Sequence, residues 1–403
     1  MKQSNPRIRF KEFNNKWGNY KLGQLGIFKS GIGFSDSQQG GTEGIPFFKV
    51  SDMNNIGNET EMRNANNYVT QEQIMKNSWK VINETPAIIF AKVGAALMLN
   101  RKRLVTRPFL IDNNTMSYSF DESWDKDFGL TLFQTINLPK YAQIGALPSY
   151  NASDIAMIKV NVPNVQEQSA IGSLFRTLDD LLASYKDNLA NYQSLKATML
   201  SKMFPKAGQT VPEIRLDGFE GEWEIKRADE IFKSVSKKNK ASLPVLSASQ
   251  IDGMVLRDEI GIDIKYDEAT LNNYKVVKPG QFVIHLRSFQ GGFALSKLEG
   301  ITSPAYTIID FIDKENHLPD FWNSILTSRD FIKRLETVTY GIRDGKSISF
   351  KDFSSLKFVF PNFKEQQAIG SYFSNLDNLI NSHQEKISQL ETLKKKLLQD
   401  MFI

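Results

Sequence analysis

Pro163-Asn164-Val165-Gln166-Glu167-Gln168-Ser169-Ala170-Ile171-Gly172-Ser173 returns as Pro361-Asn362-Phe363-Lys364-Glu365-Gln366-Gln367-Ala368-Ile369-Gly370-Ser371. Eight of the eleven positions are identical, which composition alone does not produce. A second landmark lies upstream of each copy. Pro6-Arg7-Ile8-Arg9-Phe10 returns as Pro212-Glu213-Ile214-Arg215-Leu216, and Phe13 and Trp17 return as Phe219 and Trp223. Each half therefore has an opening signature, a variable middle and a matching tail. Two long repeats point to a pseudo-twofold molecule, whereas a solenoid would show many short ones. The middles, roughly 20–160 and 226–358, are far less alike than their edges. The first half closes on Met203-Phe204-Pro205, and the linker Lys206 to Val211 restarts the pattern. The second closes on Met401-Phe402-Ile403, where a linker back to Pro6 would belong. A circular, symmetric arrangement of two units is expected.

The tails read as long helices. Apolar residues fall at Ile171, Phe175, Leu178, Leu182, Tyr185, Leu189, Tyr192, Leu195, Met199 and Met203. The second tail repeats the stripe at Ile369, Phe373, Leu376, Ile380, His383, Ile387, Leu390, Leu393, Leu397 and Met401. Steps of four and three make a helical stripe near heptad spacing. About 39 residues at ~1.5 Å each make a rod of roughly 60 Å. Such a stripe needs burial, and the other tail is the simplest partner. The expected seam sets Ile171, Phe175, Leu178, Leu182 and Leu189 against Ile369, Phe373, Leu376, Ile380 and Ile387, antiparallel. The competing reading packs each helix on its own half. Under both, His383 is a packed histidine and not a ligand.

The middles are rich in short β-type runs broken by Gly, Asn and Asp: Ile45 to Val50, Ala87 to Phe90, Met157 to Val160, Phe282 to Leu286 and Leu356 to Phe360. The fold class read from them is α/β (α+β), with two domains joined by the helices. Basic and amide residues gather at loop-like positions. In the first middle these are Lys92, Asn100, Arg101, Lys102, Arg103 and Arg107. In the second they are Lys237 to Lys240, Arg287, Ser288, Gln290, Arg343, Asp344 and Lys346. Such side chains reach base edges and phosphates, although any single lysine run is more commonly a solvated surface.

Composition narrows the chemistry. The chain has 403 residues, 41% hydrophobic and 24% charged, enough for two or three domains. Its net charge of +5 permits a polyanionic partner without requiring one. With no cysteine there is no disulfide, Cys-zinc site or thiol nucleophile. His285, His317 and His383 lie far apart, so no metal is expected. The first ten residues lack the apolar core of a signal peptide. The longest apolar stretch, Pro86 to Leu99, is broken by Lys92 and is too short for a bilayer. A cytoplasmic protein without a membrane partner is expected. No Pro-Pro dipeptide of the kind found beside a methyltransferase's target base occurs. Gly31-Ile32-Gly33 lacks a following helix, and Gly341 to Ser347 is one residue short of a P-loop. No catalyst is legible.

The combination resembles the specificity subunit of bacterial type I restriction-modification enzymes over essentially the whole chain. It rests on the paired openings (Pro6 to Trp17, Pro212 to Trp223), the paired Pro-x-x-x-Glu-Gln-x-x-Ile-Gly motifs, and Leu178-Asp179 and Leu376-Asp377. Ile45 to Asp52, Gly145 to Ser149, Val245 to Gln250, Ser303 to Tyr306 and Tyr340 to Ser349 look like stretches of that family's target-recognition domains. They add Lys49, Ser51, Ser149, Ser247, Ser249 and Gln250 to the DNA-contact candidates, which also include the adjoining Tyr150 and Asn151.

The resemblance implies target-recognition domains at 1–162 and 206–360 (linker 206–211) and spacer helices at 163–205 and 361–403. Each domain would read half of a split double-stranded DNA site. The helices would fix the gap and dock two modification subunits. Restriction subunits would complete the complex. S-adenosylmethionine, ATP and Mg2+ belong to those partners, and this chain itself is non-catalytic. The alternatives are a coiled-coil protein-binding scaffold, disfavoured by two divergent, loop-rich middles, and a degenerate stand-alone DNA methyltransferase, disfavoured by the missing motifs.

Overall fold

The computed structural model describes residues 6–143, 147–249, 252–260, 268–285, 292–336 and 350–402. They form two compact units: Met1–Lys186 with Glu385–Ile403, and Asp187–Gln384. In chain order the first middle carries β1 (Gly18–Lys21), β2 (Gly26–Ser30), β3 (Ile45–Phe48), β4 (Tyr68–Val69), α1 (Gln71–Lys76), β5 (Ala87–Ala91), α2 (Ala95–Met98), β6 (Lys102–Val105), β7 (Leu110–Ile111), β8 (Thr115–Phe120), α3 (Lys126–Thr135), α4 (Ala152–Ala156) and β9 (Lys159–Val162), followed by the long α5 (Val165–Lys202). The second carries β10 (Glu224–Arg227), α6 (Ala228–Ile231), β11 (Phe232–Val235), β12 (Leu246–Ser249), β13 (Gly253–Leu256), β14 (Lys275–Val277), β15 (Phe282–Ile284), β16 (Phe293–Leu295), β17 (Gly300–Thr302), β18 (Thr307–Phe311), α7 (Pro319–Leu326), α8 (Arg329–Glu336), α9 (Phe350–Ser354) and β19 (Lys357–Phe360), then the long α10 (Phe363–Met401).

Each unit is built on a four-stranded antiparallel sheet, β2-β8-β5-β6 in the first and β11-β18-β15-β16 in the second. In the first unit every residue of β5 and β8 is buried, because both sheet faces are covered. Alternation sorts the side chains. Ile88, Phe90, Met116 and Tyr118 face a core shared with Phe128 and Phe133 of α3 and Ile171 and Phe175 of α5. Ala87 and Ile89 face a second cluster with Phe48, Met53, Met62 and Phe109. The second unit divides likewise. Phe282, Ile284 and Phe311 join Phe321, Ile369 and Phe373, while Val283 and Ile308 join Leu246 and Met254. A two-stranded ribbon frames each unit, β1 with β9 and β10 with β19. Among the described strands only β3 and β7 pair in parallel, so the architecture is antiparallel α+β.

The repeated Glu-Gln dipeptide is the joint. At the start of α5, Asn164 Oδ1 accepts from the Glu167 amide at 3.0 Å and caps the helix. The Glu167 carboxylate is wholly buried and accepts from Arg9 Nε at 2.6 Å and Arg9 Nη2 at 2.7 Å. Trp17 Nε1 donates to it at 3.2 Å. Gln168 Nε2 donates to Ser123 O and Pro163 O at 2.9 and 3.0 Å, and its Oε1 accepts from the Asp125 amide at 2.9 Å. A Cβ on Gly172 would lie 2.6 Å from the Phe128 amide nitrogen, so only glycine lets α3 come this close. The second unit repeats the joint. Arg215 Nε and Nη2 each reach Glu365 at 2.8 Å, and Gln366 binds Pro361 O, Asn316 O and the Leu318 amide. Trp223 Nε1 breaks the parallel, being buried with no acceptor among the described residues.

The far end of the other long helix completes each unit. In the first, Lys186 pairs with Glu391 at 2.7 Å and Asp179 pairs with Lys394, so the stretches run antiparallel. The Ile8 amide donates to Asp400 O at 3.0 Å, and Phe402 packs against Trp17, Phe128 and Phe175. In the second, Lys196 pairs with Asp377, and His383 lies against Tyr192 with ring centres 5.2 Å apart. The Ile214 amide donates to Lys202 O at 2.9 Å, and Phe204 packs against Trp223, Phe321 and Phe373.

The expected seam needs one correction. Ile171, Phe175, Leu178 and Leu182, and likewise Ile369, Phe373 and Leu376, sit in the core of the unit where their helix starts. Leu189 and Ile387 are half-buried, and Ile380 is buried. The stripe therefore serves its own sheet first and the other helix further along. One strand also shifts: β9 starts at Lys159, and Met157, 60% exposed, closes α4.

Truncating a buried ion pair on one side strands the other charge, a loss of about 3–5 kcal/mol. Glu167→Ala is expected to lower stability by that order, and Glu365→Ala similarly, read as the urea midpoint of tryptophan fluorescence. A midpoint unchanged in both variants would show that the joint carries no stability.

Candidate nucleic-acid interface

In the first unit, two loops meet on one surface. A 3-10 turn (Val50–Asn54) follows Lys49, whose amide donates to Asp52 Oδ2 at 2.9 Å. Beside it runs β6 with the basic run that precedes it. Arg101 donates to Asn54 Oδ1, and Arg103 Nη2 reaches Met53 O at 3.5 Å. The segment after the turn is stitched to the same strand, with the Met62 amide donating to Leu104 O at 2.8 Å and the Leu104 amide to Thr60 O at 2.9 Å. Arg107 Nη2 donates to Arg63 O at 2.6 Å. Of the residues expected to touch DNA, this gathers Lys49, Ser51, Arg101 and Arg103. Lys49 is half-buried with Nζ 3.0 Å from Gln39 Oε1, and Ser51 is exposed. Burial, and then the like charge of Arg101, pull the Arg103 guanidinium below its ordinary pKa.

Lys92, Ser149, Tyr150 and Asn151 form a second group. Val93 bridges Ser149, and the Tyr150 amide donates to Lys92 O at 3.2 Å. Asn151 is exposed and caps α4 through the Asp154 amide. Tyr150 is corrected to a structural role. It is 5% exposed and its hydroxyl donates to Ala91 O at 2.5 Å, so burial raises its pKa and keeps it from a polyanion.

Lys102 and Asn100 are corrected likewise. Lys102 is 5% exposed, and its Nζ donates to Ile136 O at 2.6 Å and Asn100 Oδ1 at 2.8 Å. Asn100, with φ of 54°, also accepts from the Leu138 amide and donates to Ile136 O. Both bolt the β5–β6 connection to the end of α3, and neither offers a free group outward. Desolvation alone brings the Lys102 amine down to about 7.

In the second unit, Ser247 and Ser249 lie on β12, half-buried. Arg257 Nε donates to Ser247 Oγ at 2.9 Å, and Ser249 Oγ meets Asp252 at 3.1 Å. Lys237, Lys238 and Lys240 are exposed. Gln250, Arg287, Ser288, Gln290, Arg343, Asp344 and Lys346 lie outside the described residues.

Sequence reading missed a feature of the first surface. Six asparagines fall between Asn54 and Asn67, and Asn54, Asn64, Asn66 and Arg63 are exposed beside Arg101. That asparagine density was the available signal. Among the described residues no group of three or more His, Asp or Glu side chains could hold a metal ion. No described helix is long and apolar enough to cross a membrane.

Fold and surface define a duplicated α+β protein whose halves share one frame and differ in what they expose. The family described as the type I restriction modification DNA specificity domain matches at residues 14–191 and again at 220–392, and the chain belongs to that family. It is similar to the type I restriction enzyme MjaVIII specificity subunit of Methanocaldococcus jannaschii, 24% identical over 268 residues. That match covers 62% of this chain and 63% of the relative, just under two thirds of its length. Its fold is similar to that of the type I restriction-modification system S subunit from M. genitalium, with a TM-score of 0.63, 14% identity and 99% of each chain covered.

A lysine with a depressed folded pKa binds fewer protons folded than unfolded, so it costs stability increasingly as pH falls from its ordinary 10.5 to about 7, with no further change below. Relative to wild type, Lys102→Met is expected to gain melting temperature progressively as pH drops through that window, with a plateau under pH 7. A pH-independent difference would mean that the amine is not desolvated.

Proposed function

We propose that this chain is the DNA-specificity subunit of a type I restriction-modification complex, itself without catalysis. Each unit reads one half of a split double-stranded site. The observation that carries this reading is the duplication itself. The same joint of Arg, Glu, Gln and Asn appears twice and supports two different surfaces. One reader used twice would select a repeated half-site, whereas two readers on one frame select an asymmetric one.

The first reader uses Lys49, Ser51, Arg101 and Arg103, with Lys92, Ser149 and Asn151 as a second group. Their residue types suit phosphates and purine edges. Ser247, Ser249, Gln250, Arg287, Ser288, Gln290, Arg343, Asp344 and Lys346 are assigned to the second reader on residue type. The two long helices, paired as an antiparallel coiled coil about a pseudo-twofold axis, set the untouched gap and dock two modification subunits. Those bind S-adenosylmethionine. Restriction subunits supply the ATP- and Mg2+-dependent steps. Two linked readers bind more tightly than either alone because the second engagement is intramolecular.

The test is methylome sequencing of a host without other methylases that expresses this chain with its modification subunit. A split motif that appears only when this chain is present is the expected result. No new methylation beside an active partner would return the chain to the protein-scaffold reading. A four-residue insertion midway along α5, about one turn, should lengthen the gap and leave both half-sequences unchanged. Altered half-sequences would overturn the ruler.

A further inference from the structure

Residues 54–66 of the first unit form a rigid finger with an apolar tip. Asn58 is wholly buried and clamps it. Its Nδ2 donates to Asp52 O at 2.8 Å and Asn64 O at 2.6 Å, and its Oδ1 accepts from the Arg63 and Asn64 amides at 2.8 and 3.0 Å. Met53 and Met62 anchor the two sides of the finger in the core beneath the sheet. Asn55 Nδ2 donates to Asn66 Oδ1 at 3.0 Å, and Asn64 Nδ2 to Ile56 O at 3.3 Å. Gly57 turns the tip with φ of 88°.

This framework holds Ile56 out at 92% exposure, the most exposed large apolar side chain among the described residues. A fully solvated isoleucine on so tightly bonded a loop costs apolar exposure and gains nothing for the fold. The charge around it is mainly positive. Arg63 lies on the finger, Arg103 on the strand it is stitched to and Arg101 and Arg107 beside that strand, against Glu59 and Glu61. Glu61 is engaged by Arg63 at 3.7 Å and by Thr106, and Glu59 accepts from the Gly57 amide at 3.2 Å. A protein partner would favour a broader apolar patch, whereas one apolar group among amides and guanidiniums matches the major-groove edge of an A·T pair. There the thymine 5-methyl is the apolar feature, and the adenine edge accepts a bidentate asparagine.

We infer that the finger enters the major groove and that Ile56 contacts a thymine methyl, which makes it a specificity-determining residue of the first reader. This rests on the DNA-reading function proposed above.

The test uses the full chain assembled with its modification subunit, on duplexes carrying its methylation motif. Each thymine is replaced in turn by deoxyuridine, which removes only the methyl, and binding is followed by fluorescence anisotropy. Wild type is expected to weaken roughly fivefold at one thymine, within the range of a lost base contact. Ile56→Ala should weaken by a similar factor on the unmodified duplex and no longer sense that one methyl. Because Ile56 is 92% exposed, the variant should melt as wild type does.

Three outcomes would overturn the inference. Ile56→Ala could bind as tightly as wild type. It could still sense every methyl that wild type senses. It could release the modification subunit while keeping base discrimination, which would make the tip a protein contact. A wild-type complex with no sequence preference at all would instead overturn the DNA-reading function.

Discussion

The buried carboxylate of Glu167 constrains everything around it. A carboxylate removed from water is costly unless its partners are fixed, and Arg9 supplies two donors and Trp17 a third. None of the three groups can shift without stranding the charge. One side chain therefore sets the origin of α5, the path of the opening segment and the seat of Trp17. Gln168, the next residue, carries the constraint across to α3 through its contacts with Ser123 and Asp125. An apolar joint of equal area would hold the same parts together but would permit small slips. Directed hydrogen bonds do not, so the joint fixes register as well as stability.

The two units show which parts of such a frame are free to vary. In the first sheet Lys102 pairs in register with Phe90, and in the second Phe293 pairs with Ile284. Phe293 adds an aromatic ring to its core. Lys102 spends the same kind of position on an amine that holds Asn100 and Ile136 O, and so fastens the connection that carries Arg101. The lysine gives up apolar burial and gains a loop of defined shape. That exchange is tolerable because the joint at Glu167 lies elsewhere in the unit and is unaffected by it.

What the sequence made legible follows from the same division. The frame is encoded locally. Asn164, Glu167 and Gln168 sit within one helical turn of each other, and the stripe from Ile171 onward has a period that any window reveals. The duplicated motif therefore marks where each long helix begins, though not its buried partners, and β5 is visible as a short run of apolar residues. The candidate surface is not encoded locally. Asn100, Lys102 and Tyr150 look like DNA contacts by residue type, yet all three are used inside the unit. Alternation held a partial warning, since Lys102 shares a strand face with buried Leu104. No such pattern marks Tyr150, whose partner Ala91 is far away in sequence. The asparagines of 54–67 read as turn formers until Asn58 is seen clamping both sides of a finger.

A polar residue type thus says little about whether a side chain faces a partner. What separates the two cases here is whether its hydrogen-bonding capacity is spent. Both side-chain polar atoms of Asn58 and of Asn100 are engaged internally, and each of these residues shapes a loop. Asn54, Arg63 and Asn66 beside them are exposed, and a groove edge competes with water on nearly equal terms for such groups. Recognition on this surface would therefore draw its energy less from any single hydrogen bond than from loops already held in shape, whose ordering cost was met during folding. Internal clamps such as Asn58, Asn100 and Lys102 are then as much a part of specificity as the residues that would touch a base.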